Sequence, residues 1–406
     1  MKAWMLLAGL TLTQAAMAAP PVHWVASWGA AQQTPEQANL LPQADMEDAT
    51  LRQVVHLSVG GKTVRVRFSN AFGTQALTID AAQVARSADK ATAKILPGTN
   101  HALTFSGHST ISIPPGADYL SDPVSLDAPA LSSLTVSIHL PQAPVGQTGH
   151  PGSRATSYYV HGDHTANPDL PGAGHVDHWY QLAGIEVAAA PAASTIVAFG
   201  DSITDGHGAT TNGDDRWPDV LAARLQASPA TRNMAVVNVG IGGNHLLTDG
   251  LGPNALARLD RDVFARPGVK TMVILEAIND LGKLSREDVR TREMHASLVA
   301  DLIAAYTQMV LRAHAQGVKV IGCTITPYVG SDYYHPDAPS EADRVALNDW
   351  IRTSGMFDAV VDFDKIVRDP AHPERMIAAY DSGDHLHPSA AGYKVMADAI
   401  NLEVLR

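Results

Sequence analysis

A serine, two histidines, three aspartates and an asparagine stand where the chain changes character. An apolar run, 196–199, stops at Gly200-Asp201-Ser202. A second run is followed by Gly240, Gly242 and Gly243, a third by Asn279-Asp280, and Asp384, His385 and His387 precede the last helical stretch. Ester hydrolysis by serine needs these residue types. A hydroxyl attacks, an imidazole takes its proton, a carboxylate fixes the imidazole tautomer, and N–H donors hold the oxyanion. Ser202 alone is equally a helix cap. As a nucleophile at the head of a helix it would sit where the field favours developing negative charge. Gly243 can offer a backbone N–H with no side chain in the way, and Asn279 an amide donor beside the N–H of Ser202. Asp384 and His387, three apart around a tight turn, can face each other with the ring directed at Ser202. His385 competes as base on proximity, but Asp-x-x-His folds the ring back over the carboxylate, which adjacent residues rarely manage. His207, His245, Tyr333 and Tyr334 lie in or near the same blocks and are candidate substrate-lining residues. Asp201 reads as structural, its carboxylate satisfied by neighbouring backbone N–H groups, and Asp280 as a helix cap.

The elements that must position these groups have two grammars. Over 22–190, short runs alternate between apolar and polar residues and are separated by turn residues; Val64, Val66 and Phe68 alternate with Arg65 and Arg67. Gly60-Gly61 reads as a hairpin turn, and the whole stretch as an N-terminal β-sandwich or jelly-roll domain. Trp24, Trp28, Trp179 and Tyr180 within it suit either a core or a carbohydrate platform. The Ala/Pro segment 187–194 is a linker. Beyond it, over 191–406, apolar runs at 195–199, 234–239, 271–276, 318–325 and 359–361 alternate with amphipathic segments. Trp217, Val220, Leu221 and Leu225 make one helical stripe, and Leu298, Leu302, Ala305, Met309 and Arg312 another. Such alternation means an α/β fold with a parallel sheet covered on both faces. Ligands in these sheets sit at the carboxyl ends of the strands, where the chemistry-bearing blocks fall.

Composition excludes several classes. The 406 residues are 45% hydrophobic and 17% charged, with a net charge of −12, which describes a globular protein with a large core. An acidic chain without a basic stripe is a poor partner for nucleic acid or an anionic membrane. Residues 1–18, with Lys2, an apolar stretch and Ala16-Met17-Ala18, read as a cleavable signal peptide, so the protein is expected to be exported to the periplasm or secreted. No further run of 18 apolar residues occurs, and no stable membrane insertion is expected. The single cysteine, Cys323, lies in an apolar run and reads as buried and inert, which removes thiol catalysis and internal disulfides.

The ordered blocks resemble those of the SGNH, or GDSL-type, hydrolases: Gly200-Asp201-Ser202, Gly243 after "NVGIG", Asn279-Asp280, and Asp-x-x-His-Pro at 384–388. The stretches "WVASWGAAQ", "VRVRFSNAFG", "RWPDVLAARL" and "AYDSGDHLHPSAAGY" look like the branch described as acetylesterases and arylesterases of xylan-degradation gene clusters. The resemblance implies a flavodoxin-like three-layer domain and a Ser202, Asp384, His387 triad, with Ser202, Gly243 and Asn279 as oxyanion donors. It also implies a short-chain, acetyl-type ester substrate, small or polysaccharide, and no cofactor or metal. Three positions depart from the family's pattern: Ala277 replaces a glycine, Gly242 a frequent serine, and Ile203 the leucine of GDSL. If that glycine serves close backbone packing, Ala277 would shift Asn279 and weaken its hydrogen bond. Two alternatives come from other classes. Asp201, Asp205, His207, Asp384, His385 and His387 could serve a metal-dependent hydrolase, although no H-E-x-x-H pair occurs. A glycan-binding protein with a degenerate hydrolase domain is the other. The absence of Gly-x-Ser-x-Gly excludes an α/β-hydrolase elbow. Oligomeric state is not legible.

Overall fold

The computed structural model describes residues 22–406, so the leader expected at 1–18 lies outside the described residues. Five parallel strands form the sheet of the C-terminal half, in the spatial order Met234–Gly240, Ser194–Gly200, Val269–Leu275, Lys319–Cys323, Ala359–Val361. Numbered along the chain this is 2-1-3-4-5, the order of flavodoxin-like sheets, whose strand direction of travel reverses beside the first strand. Sheets of this order bind ligands in a crevice outside the carboxyl ends at that point. Ile196 to Gly200 are buried without alternation because both faces of the sheet are covered. Helices Trp217–Gln226, Phe363–Val367 and Ala390–Ala399 pack together, and Ile278–Ser285, Arg292–Ala315 and Ala338–Thr353 form a second group. Helix Arg292–Ala315 is long and apolar enough, by length and composition, to cross a membrane. It buries Leu302, Ala305, Tyr306, Met309 and Ala313 at helical spacing, as a core helix does.

The N-terminal half is mostly antiparallel sheet. One sheet pairs Trp24–Gly29, Leu182–Ala188 and Gly61–Ser69, and another pairs Ser157–His161, Ala49–His56, Ser133–Leu140 and Ala81–Arg86. Val55, Val66, Phe68, Val84, Val136 and Ile185 are among the side chains that fill one core shared by these strands. Gly60-Gly61 is not a hairpin turn. The strands either side of it belong to different sheets, and neither glycine has positive φ. A Cβ on Gly60 would stand 2.5 Å from the Ala130 nitrogen, and one on Gly61 2.9 Å from Val187, so close approach of backbone requires these glycines. Trp28, Trp179 and Tyr180 are core residues, the two indoles edge-to-face at 4.8 Å, and Trp24 lies under the Arg65 guanidinium at 4.3 Å. None of the four is a free carbohydrate platform.

The two halves share buried surface. Strand Trp24–Gly29 packs on Met234–Gly240, and the Ala26 N–H donates to Pro267 O at 3.1 Å and Thr195 Oγ1 at 3.0 Å. The Val236 N–H donates to Ser58 Oγ at 3.0 Å, and the Arg266 guanidinium donates to Ala183 O and Ala30 O.

Candidate active site

Strand Ser194–Gly200 delivers Ser202 to the crevice. A Cβ on Gly200 would meet Leu275 O at 2.4 Å, so the strand can end against its neighbour only as glycine. Asp201 caps the short helix Ser202–Asp205, its Oδ1 accepting from the Ile203 N–H at 2.9 Å. Ser202 Oγ lies 2.8 Å from His387 Nε2, and His387 Nδ1 lies 2.6 Å from Asp384 Oδ2. With Nδ1–H donated to the carboxylate, Nε2 presents its lone pair to the serine O–H. Asp384 Oδ1 also accepts from the N–H groups of His387 and Leu386. Burial alone would raise the Asp384 carboxyl, but the His387 ring and these amides hold it well below the usual carboxylate range. His385 turns away: its Nδ1 meets Asp381 Oδ2 at 2.6 Å.

Three N–H donors lie just beyond the ends of three neighbouring strands of the sheet. Among the described residues, neither the Ser202 nor the Gly243 backbone N–H has a protein acceptor. Gly243 has φ +69°, and a Cβ there would press on Leu251 at 2.7 Å. Asn279 Nδ2 donates one hydrogen to Asn244 O at 2.6 Å, leaving the second free, and its Oδ1 accepts from the Tyr334 hydroxyl at 2.6 Å. Ala277 has φ +87°, a left-handed conformation that favours glycine. Both hydrogen bonds of Asn279 are intact beside it.

Of the expected lining residues, Tyr333 is 60% exposed with Arg286 over its ring at 4.9 Å, whereas Tyr334 is 5% exposed. Tyr334 is engaged by the protein itself. Its ring lies against Gly282 and its hydroxyl holds Asn279. His245 is half-buried against Gly250, and burial followed by the charge of Lys283 lowers its basicity. The His207 ring packs on the His387 ring at 4.0 Å, and its Nδ1 faces Arg154 Nη2 at 3.2 Å. Burial, then His387 and Arg154, bring its pKa down to about 4. Asp280 does not cap its helix; its carboxylate accepts from the Leu246 and Leu247 N–H groups at 2.7 and 3.0 Å, tying the Gly243 loop to the Asn279 helix.

Ligand atoms of His207, Asp384 and His387 lie within 4.8 Å of one another. Both His387 nitrogens are already engaged by Ser202 and Asp384, and His207 faces a guanidinium, a poor setting for a cation. Asp205 and His385, also named as metal ligands, bond instead to His150 and Asp381. Cys323 is buried, and burial pushes its thiol far up.

Beneath Ser202 lies a charged layer that the sequence did not disclose. The buried Arg258 guanidinium donates to Gly200 O, Val239 O and Asn244 Oδ1 and pairs with Asp262 and Glu276, each at 3.2 Å. Asp201 Oδ2 and Glu276 Oε2 are buried with no hydrogen-bond partner among the described residues. Asp201 is thus only half satisfied by backbone N–H groups. Burial pushes its carboxyl up to about 7, and burial followed by the Asp201 charge pushes Glu276 well above the usual range. A glutamate closing an otherwise apolar run, 271–276, was the one signal available.

Residues 198–395 match the GDSL-like Lipase/Acylhydrolase family. No curated protein sequence gives a significant match. Among solved structures, a protein described as lipolytic, of the G-D-S-L family, from Desulfitobacterium hafniense DCB-2 is 23% identical, covering 51% of this chain and 97% of its own at a TM-score of 0.38. A GDSL-like lipase from Bacteroides thetaiotaomicron VPI-5482 is 18% identical, over 52% and 88% of the two chains, TM-score 0.38. A catalytic mutant of Axe2, an acetylxylan esterase from Geobacillus stearothermophilus, is 22% identical over 52% and 94%, TM-score 0.38.

Proposed function

We propose that this carboxylic ester hydrolase works through an acyl-enzyme on Ser202, with His387 as base and Asp384 as its orienting carboxylate. The observation that carries this is the unbroken line from Ser202 Oγ through the His387 ring to Asp384, at 2.8 and 2.6 Å. His387 Nε2 takes the hydroxyl proton as Oγ attacks the acyl carbonyl. The oxyanion receives the N–H groups of Ser202 and Gly243 and the free amide hydrogen of Asn279. Asp384, held ionised, stabilises the imidazolium, which then protonates the departing alcohol. A water, deprotonated by the same imidazole, attacks the acyl-serine and regenerates Oγ.

The resemblance in the sequence supports a short-chain ester, acetyl above all, on a plant-type saccharide. The composition of residues 1–18 supports export behind a leader, and the alternating runs of 22–190 support a jelly-roll-like half in front of a flavodoxin-like catalytic half. Ser202→Ala is expected to abolish p-nitrophenyl acetate hydrolysis with an unchanged melting temperature; retained turnover would reject the mechanism. Mass spectrometry of products from acetylated xylan, acetylated pectin and aryl esters tests the substrate, and acetate release confined to aryl esters would reject the saccharide.

A further inference from the structure

The β-rich half reaches the nucleophile helix through one histidine. His150 is 3% exposed. Its Nδ1 stands 2.8 Å from Ala31 O and its Nε2 2.8 Å from Asp205 Oδ1; both partners are acceptors, so each ring nitrogen brings a hydrogen and the ring pairs with the carboxylate as a cation. The ring stacks on Trp179 at 5.7 Å and 27°, and Trp179 is braced by Trp28. Asp205 is the last residue of the helix that Ser202 begins. Its other oxygen, Oδ2, accepts from the Gly242 N–H at 3.1 Å. The fit leaves no room for a larger residue: a Cβ on Gly152, two residues beyond His150, would lie 1.9 Å from Asp205 Oδ2. A relay therefore runs from the core of one half, through His150 and Asp205, to the peptide preceding Gly243.

We propose that His150 is a positioning residue of the catalytic centre. By fixing the Asp205 carboxylate it holds Gly242, and so aims the Gly243 N–H at the oxyanion. The β-rich half on this reading completes the active site and is more than an appended module. The inference rests on the oxyanion role proposed above for Gly243. The loop has other anchors, among them the Ile241 N–H on Gly200 O at 3.0 Å and the Asn244 N–H on Ile241 O at 3.1 Å. Loss of His150 should therefore misplace the donor rather than remove it. Removing an oxyanion donor outright costs about 10²–10³-fold in kcat, and a misplaced one less.

The test uses the full chain with p-nitrophenyl acetate, comparing His150→Ala, His150→Gln and Asn279→Ala, with melting temperatures for each. His150→Ala is expected to lower kcat about tenfold with KM nearly unchanged, and His150→Gln, whose amide can still donate to Asp205, to regain most of it. Unchanged kcat in His150→Ala beside a large loss in Asn279→Ala overturns the positioning role and leaves the oxyanion reading standing. Unchanged kcat in both overturns the oxyanion reading itself. Equal losses in His150→Ala and His150→Gln with native melting temperatures also reject the relay. Should His150→Ala not fold, Asp205→Asn, which turns an amide toward the Gly242 N–H or His150, must show the same kcat loss; unaltered kcat there refutes the proposal.

Discussion

Removing one hydroxyl at Tyr334 separates holding a donor from being one. The hydroxyl donates to Asn279 Oδ1 at 2.6 Å, in a setting where both residues are buried. In Tyr334→Phe that carboxamide oxygen has no partner, and an unsatisfied buried acceptor costs about 1–3 kcal/mol of stability. The carboxamide keeps its other tether, Nδ2 to Asn244 O at 2.6 Å, so the free hydrogen is loosened rather than lost. Deleting the donor, as in Asn279→Ala, is expected to cost about 10²–10³-fold in kcat. Loosening it is expected to cost about tenfold, or ~1.4 kcal/mol of transition-state stabilisation. KM should stay within about twofold, because the ground-state carbonyl leans little on this donor. Steady-state p-nitrophenyl acetate kinetics on the two single variants and the double variant form a cycle. If Tyr334 acts through Asn279, the tyrosine substitution has almost no further effect once Asn279 is alanine. A tenfold loss that persists in the Asn279→Ala background would refute this, as would a Tyr334→Phe enzyme with wild-type kcat.

Other expectations concern stability. Asp201 and Glu276 have carboxyls raised in the folded state, Asp201 to about 7. The native protein thus holds more protons than the unfolded chain between ordinary carboxylate pKa values and about 7, and stability should fall as pH rises through that window. Glu276→Gln should flatten this fall, read as urea unfolding free energies at pH 5 and pH 8, where one proton accounts for at most about 1.4 kcal/mol per pH unit; an unchanged slope would locate the protons elsewhere. Ala277→Gly relieves a left-handed alanine by about 1–2 kcal/mol. It also forfeits a buried methyl worth ~0.8 kcal/mol and restores ~0.4–1 kcal/mol of unfolded-chain entropy. The opposing effects nearly cancel, so melting temperature and kcat should barely move; a loss above ~2 kcal/mol would contradict strain at this residue.

The catalytic half was legible because its signals are local. The first four strands of the parallel sheet are largely buried apolar runs, each followed by a glycine or polar block, so the strand ends located the blocks that hold Ser202, Gly243 and Asn279. Asp384 and His387 belong to one tight turn and needed no tertiary information. What was not legible is pairing at long separation. Alternation in 49–69 reports which face of each strand is buried but not its partner, and the two strands flanking Gly60-Gly61 enter different sheets. Tyr334 meets Asn279 across 55 positions, and His150 meets Asp205 across the same separation. Neither side chain carries a local period that would betray such a meeting. Tyr334 was read as a pocket wall because an aromatic residue in a loop at the active rim has no feature distinguishing a surface ring from a buried brace.

The union of the two halves bears on how the chain acquires its fold. Ala26 lies in strand Trp24–Gly29, yet one of its hydrogen-bond partners, Thr195, comes 169 residues later, and another, Pro267, later still. Contacts so distant in sequence form slowly, because a long loop must close before they return any stabilisation. Strand Trp24–Gly29 must therefore wait for much of the polypeptide, since its sheet partner Leu182–Ala188 also comes late. A nascent chain of this design is poorly suited to folding segment by segment, and it would stay unfolded for longer than two autonomous modules would.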